Sequence, residues 1–435
     1  MFTKMELKSN SVNIAIFMEI LNSMEYIHRQ IEEKLKKSFE IYKAVLITGA
    51  RQVGKTRLIK ELFSNIKYIN FDNIFDEDRA RNDGLLFLND NGVPLILDEV
   101  QRVPEIFRSI KYVCDENNKY GQYILSGSQL FKLMDEASDS LAGRVHIVEL
   151  PTLSFREIKK EKFNEKFIPT EEYIDKRKKS INNINIDLWN VIQKGLYPEM
   201  QNSEKEFIDF YSDYVKTYIE RDIREIIEVK NLNDFQRFLI AVAARTGEVL
   251  NTSNIASEIQ KDDKTVNSWL SVLETSGIIY LLRPYANSDL KRIIKKPKIY
   301  FRDTGLVCYL TRWNTKETLM NGAMSGHMFE TFVVSEILKS YANVGLDYRN
   351  YLYYYNGRDN TRGQQEEIDL IIEENGTLYP IEIKMTMSPN EEMTCAFSVL
   401  QKVKNKKIGN GAIICNVNSI TKIKNDLYAV PVWAL

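Results

Sequence analysis

The sequence predicts an α/β protein in three parts: a nucleotide-binding core with a parallel sheet, a helical and winged helix-turn-helix region, and a C-terminal α/β domain. Three stretches carry that expectation: the glycine-rich "GARQVGKT" between an apolar run and a helical one, the helix-turn-helix pattern from Thr252 to Tyr285, and the alternating hairpin "EEIDLIIEENGTLYPIEIKMTM". A chain of 435 residues is too long for one compact core, and about 150 residues per domain gives roughly three.

The first part begins with the buried-strand run "AVLI" and continues into "RLIKELFSN", which reads as a helix. Strand, loop and helix are the context in which Gly49-Ala50-Arg51-Gln52-Val53-Gly54-Lys55-Thr56-Arg57 binds a nucleoside triphosphate. The glycines let backbone N–H groups turn towards phosphate oxygens, the helix N-terminus adds positive potential, Lys55 reaches the terminal phosphates and Thr56 ligates Mg2+. A second apolar strand in "VPLILDEVQ" delivers Asp98 to the metal and Glu99 to the attacking water. A third, "YILSGSQ", ends in Ser126, Ser128 and Gln129, of which Ser128 is the preferred phosphate or water sensor if this strand lies between the other two.

Composition narrows the class without naming a partner. Hydrophobic content of 44% with 27% charged residues is ordinary for a globular chain, and a net charge of -1 confines any nucleic-acid surface to a local patch. Cys114, Cys308, Cys395 and Cys415 form no CxxC pair, which reads as a reducing cytoplasm. No run approaches the roughly 18 apolar residues of a membrane span, so no membrane partner is expected.

The order "YIHRQIEEKL", "GARQVGKT", "KYINFD", "LILDEVQRVPEIF", "ILSGSQ", "SLAGRV", "LSFRE", "GLYPE", "YIERDIRE", "PKIYFRDTGL" and "EIDLII…YPIEIK" resembles the AAA-type ATPases of bacteria and archaea that carry a C-terminal domain of unknown function. The resemblance covers all but about the first 25 residues. It implies ATP as the nucleotide and an ASCE-type P-loop sheet in which the "KYINFD" strand falls between the loop strand and the Asp98 strand in sequence. It also makes Arg144 and Arg221 candidates for a charge-stabilising arginine, in cis or from a neighbouring subunit. The oligomeric state stays open.

In the middle of the chain, Lys159 to Asn185 lacks an apolar period and reads as a solvated insertion. Phe207, Phe210, Tyr211, Tyr214 and Tyr218, at spacings of three and four, form a core stripe. The "TSNIASEIQKDDKTVNSWLSVLETSGIIYLLRPY" segment predicts a capped short helix, a turn at Lys261 to Asp263, a longer helix buried through Val266, Trp269, Leu270 and Leu273, and a strand after Gly277. That helix would offer Lys264, Thr265, Asn267, Ser268 and Ser271 to DNA. The adjoining segment 283–302 carries Arg283, Lys291, Arg292, Lys295, Lys296, Lys298 and Arg302 against the single acid Asp289, a patch suited to a phosphate backbone.

Near the end, Asn375-Gly376 predicts a two-residue type I′ turn. Its register sets Glu374 against Thr377, hence Asp369 against Glu382 and Glu367 against Lys384, with Ile368, Leu370, Ile381 and Ile383 on the opposite face. Two facing carboxylates make sense around a divalent cation, with Lys384 beside it to activate water. This D…ExK layout resembles the PD-(D/E)xK nuclease fold, and the resemblance makes Glu330 the first acidic position.

The expected boundaries are an extension at 1–25, an AAA-type domain at 26–205, the helical and winged region at 206–302 and the nuclease-like domain at 303–435. The expected activity is Mg2+-dependent ATP binding and hydrolysis that controls a DNA-binding module, with metal-dependent DNA cleavage as a further activity. The alternative is an ATP-dependent switch that binds a protein or DNA partner through a nuclease-like domain that does not cleave.

Overall fold

The computed structural model describes residues 26–128, 143–180, 186–202, 204–219, 232–286, 295–358 and 365–435. Gln129 and Arg221, together with Asp289, Lys291 and Arg292 of the basic segment, lie outside the described residues, as does the side chain of Tyr218.

Helix α1, Glu32–Ile41, leads into β1, Ala44–Thr48, and the glycine-rich loop then opens α2, Lys55–Leu62. Strands β2 (Lys67–Asn70), β3 (Leu95–Asp98), β4 (Tyr123–Ser126) and β5 (Val145–Glu149) complete a five-stranded sheet of order β2-β3-β4-β1-β5, with α3, Ile106–Glu116, between β3 and β4. Every pairing is parallel. Strands β1, β3 and β4 are buried at each position because helices cover both faces, which is why they read as continuous apolar runs. The order places β4 between β1 and β3, so its polar end meets Asp98 beside the loop.

Residues 159–180, the described part of the expected solvated insertion, are instead largely packed inside the protein. Phe167 and Arg177 are fully buried, and Tyr173 and Ile174 on α4, Glu171–Ser180, face inward. The segment's charges are paired inside the protein: Arg177 Nη2 lies 2.6 Å from Glu161 Oε2, and Arg177 Nε donates to Ala434 O at 2.9 Å. Lys159 pairs with Glu161 at 2.7 Å, and Arg156 donates to Tyr173 OH at 2.7 Å. A composition rich in Lys and Glu hides this, because buried ion pairs carry no apolar period.

Helix α5, Phe207–Tyr214, buries the aromatic stripe through Phe207, Phe210, Tyr211 and Tyr214. Helix α6, Leu232–Ala243, sets Phe235 and Phe238 edge-on against Trp269, at 5.4 and 5.2 Å between ring centroids. Helices α7 (Thr252–Ile259) and α8 (Asp263–Thr275) form the expected pair, capped by Asn251 and Asp262. Gly277, at φ 71°, ends the segment, and β6 (Ile279–Leu282) pairs antiparallel with β7 (Lys298–Phe301). Lys264, Asn267 and Ser271 are exposed on α8, while Thr265 and Ser268 are half-buried.

Helix α9, Thr304–Leu310, is capped by Asp303, and the long α10, Ser325–Asn343, is buried over most of its length. The C-terminal sheet has the order β13-β14-β12-β10-β9-β8, from β8 (Leu352–Arg358), β9 (Gln365–Glu374), β10 (Thr377–Ile383), β12 (Gly411–Cys415), β13 (Thr421–Lys424) and β14 (Leu427–Pro431); the short β11, Lys407–Ile408, joins β10. Asn375 and Gly376 have φ 49° and 77°, the left-handed pair that a type I′ turn needs. The register is as expected, Thr377 facing Glu374 and Ile381 facing Leu370.

The segment after β5 docks this C-terminal domain on the parallel-sheet domain: Phe155 N donates to Glu336 on α10 at 2.7 Å, and Lys339 donates to Leu153 O at 2.9 Å. Arg177→Met leaves Glu161 with one partner and strands two carbonyls at the chain end, so it is expected to cost about 3 kcal/mol. Thermal unfolding checks this, with exposed Lys178→Met as the variant that leaves the melting temperature unchanged.

Candidate functional site

The loop is held in shape by close backbone approaches. Gly49 sits at φ 142°, and a Cβ there would lie 2.2 Å from Leu150 O. Gln52 and Gly54 also adopt positive φ, at 60° and 94°. Ala50 and Val53 turn their side chains into the core, so they can offer a ligand only backbone. Buried Arg29 supports the loop from below, donating to Val53 O at 2.9 Å and Pro151 O at 2.8 Å while its Nε meets Glu157 at 3.1 Å.

Lys55 Nζ donates to Gly49 O and Ala50 O, at 2.9 and 2.8 Å, which places the ammonium inside the loop. Thr56 Oγ1 donates to Asp98 Oδ2 at 2.7 Å, joining the first turn of α2 to the end of β3. Two hard oxygen donors in contact suit a magnesium ion. Asp98 is almost fully buried and is further fixed by Tyr68 OH at 2.7 Å, by Glu99 N at 3.0 Å and by Ser126 Oγ. Burial and the Asp98 carboxylate push the Tyr68 hydroxyl well above its ordinary pKa, so it stays a donor.

Glu99 has the left-handed backbone, φ 57°, uncommon for a residue with a side chain. Gln101 Nε2 donates to Glu99 and lies 3.4 Å from Ser128 Oγ, tying the two expected residues together. Tyr68 and Gln101 escaped the reading of motifs: each lies inside a quoted stretch, but only the pairing of β2 with β3 and the turn after Glu99 reveal their partners. Arg57 points away, pairing with Glu61 at 2.8 Å on the exposed side of α2.

Arg144 is corrected as a candidate acting in cis. It precedes Val145, which pairs with Ala44 at the end of β1 opposite the loop, and its guanidinium binds Asp115 on α3.

The loop also touches the middle of the chain. A Cβ on Gly277 would sit 3.2 Å from Arg302 Nη1 and 3.5 Å from Ala50 N, and Ala50, Tyr197, Gly277, Arg302 and Asp303 line one small cavity under the loop. Pro198 of "GLYPE" approaches Gly54, at 3.7 Å from where its Cβ would be. Arg302 pairs with Glu149 at the end of β5, which also takes Tyr348 OH at 3.2 Å and Arg349 at 3.2 Å.

The acidic residues of the far hairpin meet as well, with corrections. The β9–β10 ladder ends at Leu370–Ile381, and Asp369 Oδ2 accepts from Ile383 N at 2.8 Å in place of a further rung. A shift in the β8–β9 register beside Asp369 turns Ile368 to the face of Ile371 and Leu378, not that of Leu370. Lys384 Nζ contacts Glu382 Oε1 at 2.6 Å and Asp369 at 3.9 Å. Glu367 meets Lys298, at 2.5 Å, rather than Lys384; Lys298 also lies 3.1 Å from Glu330 and 3.9 Å from Asp369.

Burial, with Glu330 and Glu382 nearby, raises Asp369 to about 8, and burial also raises Glu382 against the pull of Lys384. Among the described residues no three acidic, histidine or cysteine side chains converge as a ready metal set, so the expected set Glu330, Asp369 and Glu382 is corrected: a lysine stands among these acids. Lys298 and Arg302 are likewise removed from the basic DNA patch, being buried in ion pairs; Arg283, Lys295 and Lys296 remain exposed.

Glu149 offers a test of the node beside the loop. Burial alone would raise its pKa, but Arg302 and Arg349 outweigh this and hold it near 2, below the ordinary 4.5. A depressed carboxylate stabilises the fold above its unfolded pKa and loses that contribution as pH falls towards the folded value. The shift corresponds to an order of 3 kcal/mol. Melting temperature measured from pH 7 to pH 3 is expected to fall below about pH 4.5 in the wild type, and Glu149→Gln to start lower and slope less.

Comparison with known proteins agrees with the first site. Residues 42–159 match the model of an AAA domain, and the five-stranded parallel sheet lies within this region. Residues 185–317 and 325–435 match two domains of unknown function, DUF8612 and DUF4143. The chain is 27% identical over 365 residues to the uncharacterized protein Rv2008c of Mycobacterium tuberculosis, covering 83% of this chain and 75% of that one. It is 23% identical over 337 residues to the uncharacterized protein MJ1637 of Methanocaldococcus jannaschii, covering 70% of each. A Walker-type ATPase of Pyrococcus abyssi matches with TM-score 0.41 and 14% identity, over 65% of this chain and 94% of that one. No described helix is long and apolar enough to cross a membrane.

Proposed function

We propose that this protein binds and hydrolyses ATP at the glycine-rich loop and that the nucleotide state sets the position of a DNA-facing module formed by α7, α8, the β6–β7 hairpin and the C-terminal domain. The observation that carries this reading is that Ala50, Gly277 and Arg302 line one small cavity at the junction between phosphate loop and hairpin.

Thr56 and Asp98 would hold magnesium, which supplies neutralisation of phosphate charge when bound. Lys55 leaves its loop carbonyls for the terminal phosphates, and the backbone amides from Gly49 to Thr56 take the remaining oxygens. Glu99 orients a water for attack on the terminal phosphorus; the bond to the bridging oxygen breaks, and ADP and phosphate leave. Gln101 keeps the Glu99 carboxylate aimed and connects it to Ser128. Arg221 stays a candidate for the stabilising arginine, and Arg144 does so only from a neighbouring subunit.

For the DNA-facing part, α8 exposes Lys264, Asn267 and Ser271, and Arg283, Lys295 and Lys296 add charge nearby. For the C-terminal domain, the switch reading is favoured over cleavage by one observation, the lysine among the acids.

ATP hydrolysis measured with and without duplex, branched and single-stranded DNA, with product analysis on a gel, tests the proposal. Lys55→Ala is expected to lose at least about 100-fold in turnover, and Gln101→Leu about tenfold in kcat with little change in KM, the signature of a lost positioning contact. Binding of labelled duplex DNA is expected to differ between ATP-bound Glu99→Gln and the ADP form. Equal DNA binding in both states contradicts the coupling, and absence of hydrolysis in the wild type contradicts the enzyme.

A further inference from the structure

The carboxylate of Asp98 is saturated by the protein itself. Oδ2 accepts from Thr56 Oγ1 and from Tyr68 OH, each at 2.7 Å, and Oδ1 accepts from Glu99 N at 3.0 Å and from Ser126 Oγ. An ionised carboxylate offers about four lone-pair positions, and these donors fill them. Magnesium holds on to several of its waters, and a water on a cation meets a carboxylate as a donor. Whether such a water or the cation itself approaches Asp98, one lone pair has to be vacated first.

The donors differ in what their departure costs. Glu99 N belongs to the neighbouring peptide and moves only with the turn. Ser126 ends β4, between β3 and β1, and is fully buried. Thr56 has no need to leave, because a hydroxyl can keep its proton on Asp98 and still offer oxygen lone pairs to a cation. Tyr68 remains. It stands on β2, the edge strand of the sheet, and is half-buried, so its hydroxyl has room to turn towards solvent. Its ring lies under the Lys60 ammonium of α2, at 4.3 Å from the ring centroid, and is not locked in the core.

We propose that the Tyr68 hydroxyl is a place-holder: it occupies the Asp98 lone pair that the magnesium–nucleotide pair needs, gives it up when that pair binds, and returns to it when ADP and magnesium leave. This rests on reading the loop as a magnesium–nucleotide site. Tyr68 acts through Asp98, as a positioning residue that lowers the affinity of the loop for magnesium-bound nucleotide. The effect is a competition, because a donor given up by a carboxylate has to be replaced by one at least as good. Removing the hydroxyl therefore favours the bound state, while the remaining donors keep the carboxylate in place.

The test is titration of a fluorescent ADP derivative into the full chain, in Mg2+ and in EDTA. Tyr68→Phe is expected to bind the derivative about tenfold more tightly than the wild type in Mg2+, the weight of one hydrogen bond to a charged group, and with unchanged affinity in EDTA. Adding Asp98→Asn to Tyr68→Phe is expected to cancel the gain, because the effect passes through that carboxylate. A residue that only supported the fold would weaken binding in both solutions.

Equal or weaker binding by Tyr68→Phe in Mg2+, or a gain that persists in EDTA or with Asp98→Asn, overturns the place-holder while leaving the loop site standing. Wild-type binding that Mg2+ does not strengthen removes the magnesium reading and the inference with it. Should Tyr68→Phe fail to fold, the crystal structure of the wild type with ADP and Mg2+ decides. The Tyr68 hydroxyl is expected there beyond hydrogen-bond distance of Asp98, and an intact hydrogen bond with the metal in place overturns the inference.

Discussion

The ion pair between Arg302 and Glu149 joins the edge of the nucleotide-binding sheet to the exit of the β6–β7 hairpin, and much of the arrangement depends on it. Glu149 is the last residue of β5, paired with Thr48 just before the loop, so its carboxylate has little freedom. Arg302 follows β7 directly, so its guanidinium reports the position of the hairpin. Tyr348 and Arg349 close the same node from the C-terminal domain. A buried pair of this kind adds little net stability over an apolar contact, but it penalises every other placement of the two elements. Its value is positional.

From that node the two charged centres form a sequence of contacts. The loop leans on Gly277, the hairpin starts beyond Gly277, and Lys298 and Tyr300 of the hairpin hold Glu330 on α10. Asp303, next to Arg302, accepts from Leu196 N at 2.7 Å and from Tyr211 OH at 2.7 Å, binding the hairpin exit to the "GLYPE" turn that approaches Gly54. The Arg302 and Asp303 side chains of "FRDTG" thus meet the β5 end and the "GLYPE" backbone respectively. Position 277 favours glycine because its φ of 71° is left-handed, and a Cβ there would also meet Arg302 Nη1 at 3.2 Å.

Much of the fold was legible because its signals are local. The loop, the all-buried strands, the helix pair around Trp269 and the Asn375–Gly376 turn each follow from spacing and residue type within a few tens of residues. What stayed hidden depends on distant partners. The burial of Arg177 needs the carbonyls of Trp433 and Ala434, more than 250 positions away. The position of Arg144 needs the pairing of β5 with β1, and the role of Lys298 needs α10 and β9. A run of basic residues looks the same in sequence whether its members meet solvent or buried acids. In the hairpin, the turn fixes which residues face each other as far as Leu370 and Ile381, but the shift beside Asp369 lies on the other edge of β9, out of reach of that register.

In the proposed coupling, the phosphate loop and the hairpin share one contact surface through which nucleotide state is transmitted. Hydrogen–deuterium exchange on the full chain, compared between ADP and a non-hydrolysable ATP analogue, tests it most directly. The account expects the exchange of peptides spanning residues 277–286 and 295–302 to change with the nucleotide, and the change to vanish in Arg302→Met. Identical exchange of these peptides in both nucleotide states, while the loop itself becomes protected, would contradict it.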